Sequence, residues 1–244
     1  MIADSDWDFF NKNGYVLIKK VLDGDHLQLI RDTFTHVWQQ EGPPCNQHKL
    51  LKYQPLIDLI EHPPILGNMT ALYGSRTQLL QYDFLYQAPL NEGAERSWHR
   101  DFVFPGDYPL SSNNILYLQD MDDEIGPTFV VPGSHRGWLD LPQGDAKTRP
   151  HDGEVAVYAQ AGDMAIINAA VLHSGAINRS KDRERRNLYM YYGDWCLKRY
   201  DTQQQLPWQC LANASDQRLQ LLGIKSPGDP HIYEPDALRA GGGE

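Results

Sequence analysis

From Thr77 onward the chain breaks into short β-rich runs: Thr77–Ala88, Ser97–Asp101, Asn114–Met121, Thr128–Val131, Val155–Tyr158, Met164–Asn168 and Asn187–Tyr192. Gly, Pro, Asn and Asp separate them, and no helical pattern lies between them. Parallel strands need long, usually helical crossovers, so runs spaced this way must pair antiparallel, in a sandwich or barrel. The first third reads differently. Asp6–Asn13 predicts a short helix stopped by Gly14, and Tyr15–Lys20 a strand. Asp23 is placed to cap a helix whose apolar residues Leu27, Ile30, Phe34, Val37 and Trp38 repeat every 3.6 residues. Pro63-Pro64 opens another helix, ending near Tyr73-Gly74. The expected fold is therefore mainly β with flanking N-terminal helices, a cupin-like double-stranded β-helix or jelly roll. We expect one domain over residues 1–244: helical support to about 75, the β-helix over about 76–200, and an extension over 201–244 that ends in a disordered Gly241–Gly243 tail.

Bulk properties narrow the function. The net charge is −10, from 22 basic and 32 acidic residues, and this argues against a nucleic-acid partner, which needs a basic stripe. No run of 18 apolar residues occurs and the chain opens on Met1-Ile2-Ala3-Asp4, so neither a membrane span nor a secretory signal is expected. Cys45, Cys196 and Cys210 are odd in number and form no CxxC, which predicts reduced thiols in a cytoplasmic protein.

One triplet carries chemistry. Side chains at i and i+2 of a strand share a face, so His99 and Asp101 in Trp98-His99-Arg100-Asp101 can point at one ion, with His173 arriving from a facing strand. Two imidazoles and a carboxylate occupy one face of a non-haem Fe(II) ion and leave open positions for a co-substrate and O2. An arginine would then supply a fixed fork for the far carboxylate of a 2-oxo acid. Parity indicates which one. In Arg185–Tyr192 one face carries Arg185, Asn187, Tyr189 and Tyr191, and the other Arg186, Leu188, Met190 and Tyr192. The first is the cavity face, so Arg185 is the expected clamp and Arg186 the fallback. In Leu80–Gln87 the matching wet face carries Gln81, Asp83, Leu85 and Gln87.

These blocks resemble the phytanoyl-CoA dioxygenase-like family of Fe(II)- and 2-oxoglutarate-dependent oxygenases. The resemblance lies in Trp98–Asp101, in Gly126-Pro127-Thr128-Phe129-Val130-Val131-Pro132-Gly133-Ser134-His135, in Gly162-Asp163, and in His173-Ser174-Gly175-Ala176-Ile177-Asn178-Arg179-Ser180 leading to Arg185. It implies that His99, Asp101 and His173 hold iron and that Arg185 pairs with the distal carboxylate of 2-oxoglutarate. It also implies that Gln87 contacts the co-substrate and that the Pro132–His135 turn is structural. Three features depart from the family pattern. Arg100 stands where Gln is common between the ligands, and its side chain should point away from the iron. His173-Ser174-Gly175 inverts the frequent His-Gly-Ser order, so Ser174, the serine expected to contact the co-substrate, offers its hydroxyl one place away. The spacing from His173 to Arg185 is one residue longer, absorbed in the Lys181–Glu184 loop.

The expected reaction is oxidation, by default hydroxylation, of a C–H bond in a small metabolite or natural-product intermediate, with release of succinate and CO2. Epimerisation, desaturation or cyclisation share its first steps. Asp83, Phe102, Phe104, Tyr189 and Tyr191 are the expected substrate contacts. Leu141–Gly153 reads equally as a lid or as an ordinary surface loop. Two readings from other classes stand beside the oxygenase: a zinc hydrolase on the same three ligands, and a jelly roll that binds a metabolite without turnover. The hydrolase gives Arg185 and the Pro132–His135 turn no role, and an intact triad with its arginine speaks against the binding protein.

Overall fold

The computed structural model describes residues 4–101, 108–137, 140–197 and 206–227. Helices α1 (Asp4–Asn13), α2 (Gly24–Glu41), α3 (Gln47–Leu50), α4 (Gln54–Leu59) and α5 (Pro63–Tyr73) lead into an antiparallel β-sandwich, with strand β1 (Tyr15–Ile18) between α1 and α2. The remaining strands are β2 (Thr77–Gln87), β3 (Ser111–Tyr117), β4 (Thr128–Val130), β5 (Val155–Val157), β6 (Met164–Asn168), β7 (His173–Gly175) and β8 (Arg185–Asp194). Five strands pair in the order β1-β6-β3-β8-β2 and three in the order β5-β4-β7, all antiparallel. Two short helices, α6 (Trp208–Leu211) and α7 (Asp216–Leu221), follow. The Gly241–Gly243 tail lies outside the described residues.

Alternation sorts the side chains into layers. The outer face of β2 and β8 carries Tyr82, Phe84, Leu188, Met190 and Tyr192, all buried against the helical layer. Phe34 of α2 stacks on Phe84 with 4.1 Å between ring centroids, and Trp38 lies 4.6 Å from Tyr86, so the apolar stripe of α2 is what the sheet rests on. The inner faces of the two sheets enclose Ile115, Tyr117, Val130, Val157, Ala165 and Ile167. The cavity opens on this inner side.

Three local expectations shift. Asp23 occupies the N-cap of α2, but its side chain makes no capping bond; its backbone carbonyl takes His26 N at 3.1 Å and Leu27 N at 3.2 Å instead. The run predicted as Asn114–Met121 is paired three residues earlier, as Ser111–Tyr117. Asn114 satisfies itself by donating Nδ2 to Met190 O at 2.8 Å, which lets polar residues occupy a buried central strand. Ser97–Asp101 forms no strand. Ser97 N goes to the Ser174 hydroxyl (2.7 Å) and Trp98 N to Lys147 O (3.1 Å), so only an isolated His99–His173 bridge remains.

The Pro132–His135 turn joins α1 to the strand bearing His173. Gly133 N donates to Asn13 O at 2.9 Å, and the His135 Nε2–H to Asn11 O at 3.1 Å. On its other side the Ser134 hydroxyl accepts Leu172 N at 2.8 Å. Gly14, at φ +81°, fits beneath this turn because a Cβ there would lie 2.3 Å from Val171 Cγ2 and 2.5 Å from His135 Nδ1.

Candidate active site

The inner face of the large sheet presents rows of facing residues. Asn113, Tyr191 and Gln81 form one row, and Ile115, Tyr189 and Asp83 the next. Tyr117, Asn187 and Leu85 follow, and Gln87 pairs with Arg185 at the end. A cavity of about 330 Å³ lies over these rows, lined by Asp83, Gln87, Asn113, Arg185, Tyr189 and Tyr191 together with His99, His173 and Gly175 from the opposite side.

His99, Asp101 and His173 converge there, with one ligand atom of each within 4.8 Å of the others. His99 Nε2 stands 3.6 Å from Asp101 Oδ1, and His173 Nε2 3.5 Å from Asp101 Oδ2. The backbone joins the two histidines, since His99 N donates to His173 O and His173 N to His99 O, each at 3.0 Å. Each imidazole is also oriented by a carbonyl two residues back. His99 Nδ1 lies 2.7 Å from Ser97 O, and His173 Nδ1 2.9 Å from Val171 O. A carbonyl only accepts, so each Nδ1 carries the proton and each Nε2 presents its lone pair to the cluster, as a metal ligand must. Burial pushes the His173 imidazole below its ordinary value, against the pull of Asp101, and His99 adds to the downward push. This favours the neutral, ligating form.

Arg185 is 1% exposed. Its Nη1 donates to Ala176 O at 2.6 Å, while Nη2 is buried without a hydrogen-bond partner. Gly175, two residues along β7 from His173, lies against the fork, where a Cβ would be in ordinary contact with that Nη2 at 3.5 Å. Arg186 faces the other way. It donates to Thr35 Oγ1 of α2 at 2.9 Å and forms an ion pair with Glu184. Gln87 lines the cavity beside Arg185, with its Oε1 held by Asn178 N at 3.1 Å.

Ser174 is not in the cavity. As the residue between two that face it, Ser174 points to the other side of β7, where its hydroxyl accepts Ser97 N and donates to Gly175 O at 3.1 Å. Asp83, Tyr189 and Tyr191 line the cavity; Phe102 and Phe104 lie outside the described residues. Arg100 turns away from the cluster, donating to Ala170 O at 2.8 Å and Ser134 O at 3.1 Å. No residue of Leu141–Gly153 lines the cavity; Lys147 O, Thr148 O and Arg149 O dock instead on Trp98 N, Arg96 N and Trp98 Nε1.

Asn113 is the site residue that sequence reasoning missed. Its Nδ2 donates to Asp101 Oδ2 at 3.3 Å and to the Tyr191 hydroxyl at 2.9 Å. The available signal was the continuation of the β3 alternation back through Ser111 and Asn113.

The sequence model of the phytanoyl-CoA dioxygenase (PhyH) family matches residues 10–187. A dioxygenase, aneA, of Aspergillus aculeatus is 30% identical over 152 residues, covering 58% of this chain and 50% of the relative. The chain thus spans about half the length of this curated relative. Among solved structures, the non-haem α-ketoglutarate-dependent carbocyclase SnoK from nogalamycin biosynthesis superposes with a TM-score of 0.66 at 24% identity, over 79% of this chain and 84% of that one. HygX from Streptomyces hygroscopicus, crystallised with nickel, 2-oxoglutarate and hygromycin B, superposes with a TM-score of 0.67 at 16% identity, over 82% and 90%. At these identities the structural likeness establishes the jelly-roll fold.

Proposed function

Because this chain belongs to the phytanoyl-CoA dioxygenase family, with a model match over residues 10–187, we propose that it is an iron(II)- and 2-oxoglutarate-dependent dioxygenase. It oxidises, by default hydroxylates, a C–H bond of a small metabolite or natural-product intermediate and releases succinate and CO2. The observation that carries this reading is the buried Arg185 fork, whose Nη2 has no hydrogen-bond partner, in the same cavity as the His99, Asp101 and His173 ligand atoms. A buried guanidinium nitrogen left without an acceptor is costly, and a carboxylate reaching it would satisfy that donor.

The residues present fit the ion and the co-substrate. When bound, iron(II) and 2-oxoglutarate supply the dioxygen activation that breaks an unactivated C–H bond. The chain contributes geometry and charge. His99 and His173 offer Nε2, and Asp101 offers its carboxylate, which Asn113 orients. Arg185 takes the distal carboxylate of the co-substrate, and Gln87 lies beside it. Asp83, Ile115, Tyr189 and Tyr191 wall the remaining space and position the substrate, with Phe102 and Phe104 as its further contacts. Epimerisation, desaturation or cyclisation is the alternative outcome of the same chemistry.

The enzyme is read as one oxygenase unit, with helical support to about residue 75, the β-helix over about 76–200 and an extension over 201–244. A small molecule is its partner, and neither nucleic acid nor membrane is. No helix among the described residues is long and apolar enough to cross a membrane. A cytoplasmic setting fits Cys45, Cys196 and Cys210, none of which forms a disulfide.

Anaerobic titration with Fe(II) and 2-oxoglutarate, read by the visible charge-transfer band of a chelated 2-oxo acid, tests this directly. The band should need both components and disappear in His99→Ala and Arg185→Ala; Asp101→Ala should abolish substrate-dependent succinate release with the fold retained. Tight zinc binding without any band would transfer the assignment to a hydrolase or a non-catalytic binding protein.

A further inference from the structure

The segment between His173 and Arg185 is organised around one buried side chain. Asn178 is fully buried, at 0% exposed. Its Nδ2 donates to Arg183 O at 2.7 Å and to Ala88 O at 3.1 Å, with a longer approach of 3.4 Å to Gln87 O. Its Oδ1 accepts Ser180 N at 3.1 Å, and its backbone N holds the Gln87 Oε1 at 3.1 Å. Two residues earlier, Ala176 O receives Arg185 Nη1 at 2.6 Å.

These contacts meet at one place in the sheet. Gln87 and Arg185 form the last pair of the β2–β8 ladder. The ladder ends at that pair, and past it Leu90 N donates to Ser180 O at 2.8 Å and Asn91 N to Asn178 O at 2.9 Å. Asn178 bridges the two strand ends, tying residues 87 and 88 at the exit of β2 to residue 183 before β8. Glu124 O anchors the same loop by accepting Arg179 N at 2.7 Å and Ser180 N at 3.0 Å. A buried amide with every polar atom engaged is a rigid spacer rather than a solvated loop residue.

We infer that Asn178 is a positioning residue for the co-substrate: it fixes the separation and aim of Gln87 and Arg185, and so sets selection for a 2-oxo acid bearing a distal carboxylate. This rests on the oxygenase reading above. The iron ligands are held by a separate set of bonds, the His99–His173 bridge and the carbonyls of Ser97 and Val171. Losing the spacer should therefore loosen one end of the cavity and leave the other intact. In a small shift of this kind, the group at risk is the one needing a directional two-point fit, which is the Arg185 fork.

The experiment compares the unmodified chain with Asn178→Ala and with the isosteric Asn178→Asp, which keeps the Ser180 acceptor and loses the donor to three carbonyls. Each is loaded with Fe(II) anaerobically and titrated with 2-oxoglutarate and with 2-oxopentanoate, which lacks the distal carboxylate, following the charge-transfer band. Iron affinity is measured separately. Both variants should hold iron as before and weaken 2-oxoglutarate about tenfold, the loss usual when a group supporting a ligand-binding side chain is removed. Affinity for 2-oxopentanoate should change little, so the preference between the two acids collapses. In the Gln87→Ala background the effect of Asn178→Ala should shrink, because the two changes act through one element. Equal weakening of both acids, loss of iron along with co-substrate, or an unchanged preference would each overturn the inference. Absence of any band in the unmodified chain would instead remove the oxygenase reading on which it stands.

Discussion

Asn113 reaches Asp101 from the floor of the large sheet, its Nδ2 lying 3.3 Å from Oδ2 and 2.9 Å from the Tyr191 hydroxyl. Asp101 lies in a bend beyond the last paired residue, so its carboxylate depends on a neighbour for its direction. Asn113→Ala should weaken Fe(II) binding about tenfold while leaving the fold intact, as is usual when an outer hydrogen bond to a ligand is removed. Competition for Fe(II) against a chelating dye measures this, and an unchanged affinity would show that Asp101 is held without Asn113.

Arg185 and Arg186 are adjacent in sequence and opposite in space, one buried in the cavity and the other paired with Glu184 over α2. Arg185→Ala should raise the apparent KM for 2-oxoglutarate by roughly ten- to a hundredfold, the loss of a hydrogen bond to a charged group. Arg186→Ala should leave that KM within about twofold, because its partly exposed ion pair with Glu184 lies on the face turned away from the cavity. Succinate release at varied 2-oxoglutarate reads both, and the opposite ranking would reverse the assigned strand faces.

Arg76 grips Asp194 with three hydrogen bonds of 2.7 to 3.1 Å, next to the Thr77–Asp194 pair that closes the other end of the β2–β8 ladder. Burial alone would push the Asp194 carboxyl up, but the Arg76 guanidinium holds it below the usual carboxylate range. As pH falls, the unfolded chain therefore takes up this proton before the folded one. The pair's contribution is complete above about pH 4 and is lost as pH drops through the lowered value. Arg76→Ala should cost about 3 kcal/mol at neutral pH and flatten the acid limb of stability. Urea melts from pH 6 down to pH 3 (about three units spanning the carboxylate range) would sink the assignment if the two proteins lost stability in parallel.

Gly14→Ala should destabilise by about 2 kcal/mol or more, since it combines a left-handed backbone with direct overlap on Val171 and His135. Differential scanning calorimetry tests this, and a melting temperature within a degree or so of the unmodified chain would mean the turn relaxes freely.

Much of the site was legible because a strand converts sequence parity into direction. Parity placed Arg185 and Tyr189 on the wet face and sent Arg186 to the helices. The same rule, applied to His173-Ser174-Gly175, would have removed Ser174 from the cavity; the family-derived role overrode it. His99 and Asp101 converge for a reason different from the one the sequence offered, since a single bridge and a bend replace the expected strand. What could not be read were the bonds of long sequence separation. Asn113 sits in a Ser-Ser-Asn-Asn stretch whose composition marks a turn, and Asn178 bridges segments 90 residues apart. The β3 alternation gives the face of Asn113 but not its partner, and Asn178 carries no periodicity, because each acts through one amide placed by the fold.

The Pro132–His135 turn joins the first helix to the residue before the ligand His173. It grips Asn11 and Asn13 with one side and the residue before His173 with the other. Any ion held at His173 must stabilise the closed arrangement relative to one in which this turn has let go, by an amount set by its binding free energy. Amide exchange in α1, a helix that supplies no ligand, should slow when iron is added and recover when it is stripped. A chelator would then act on the amino-terminal helix without touching it, and the state of the metal could be read from the far side of the molecule.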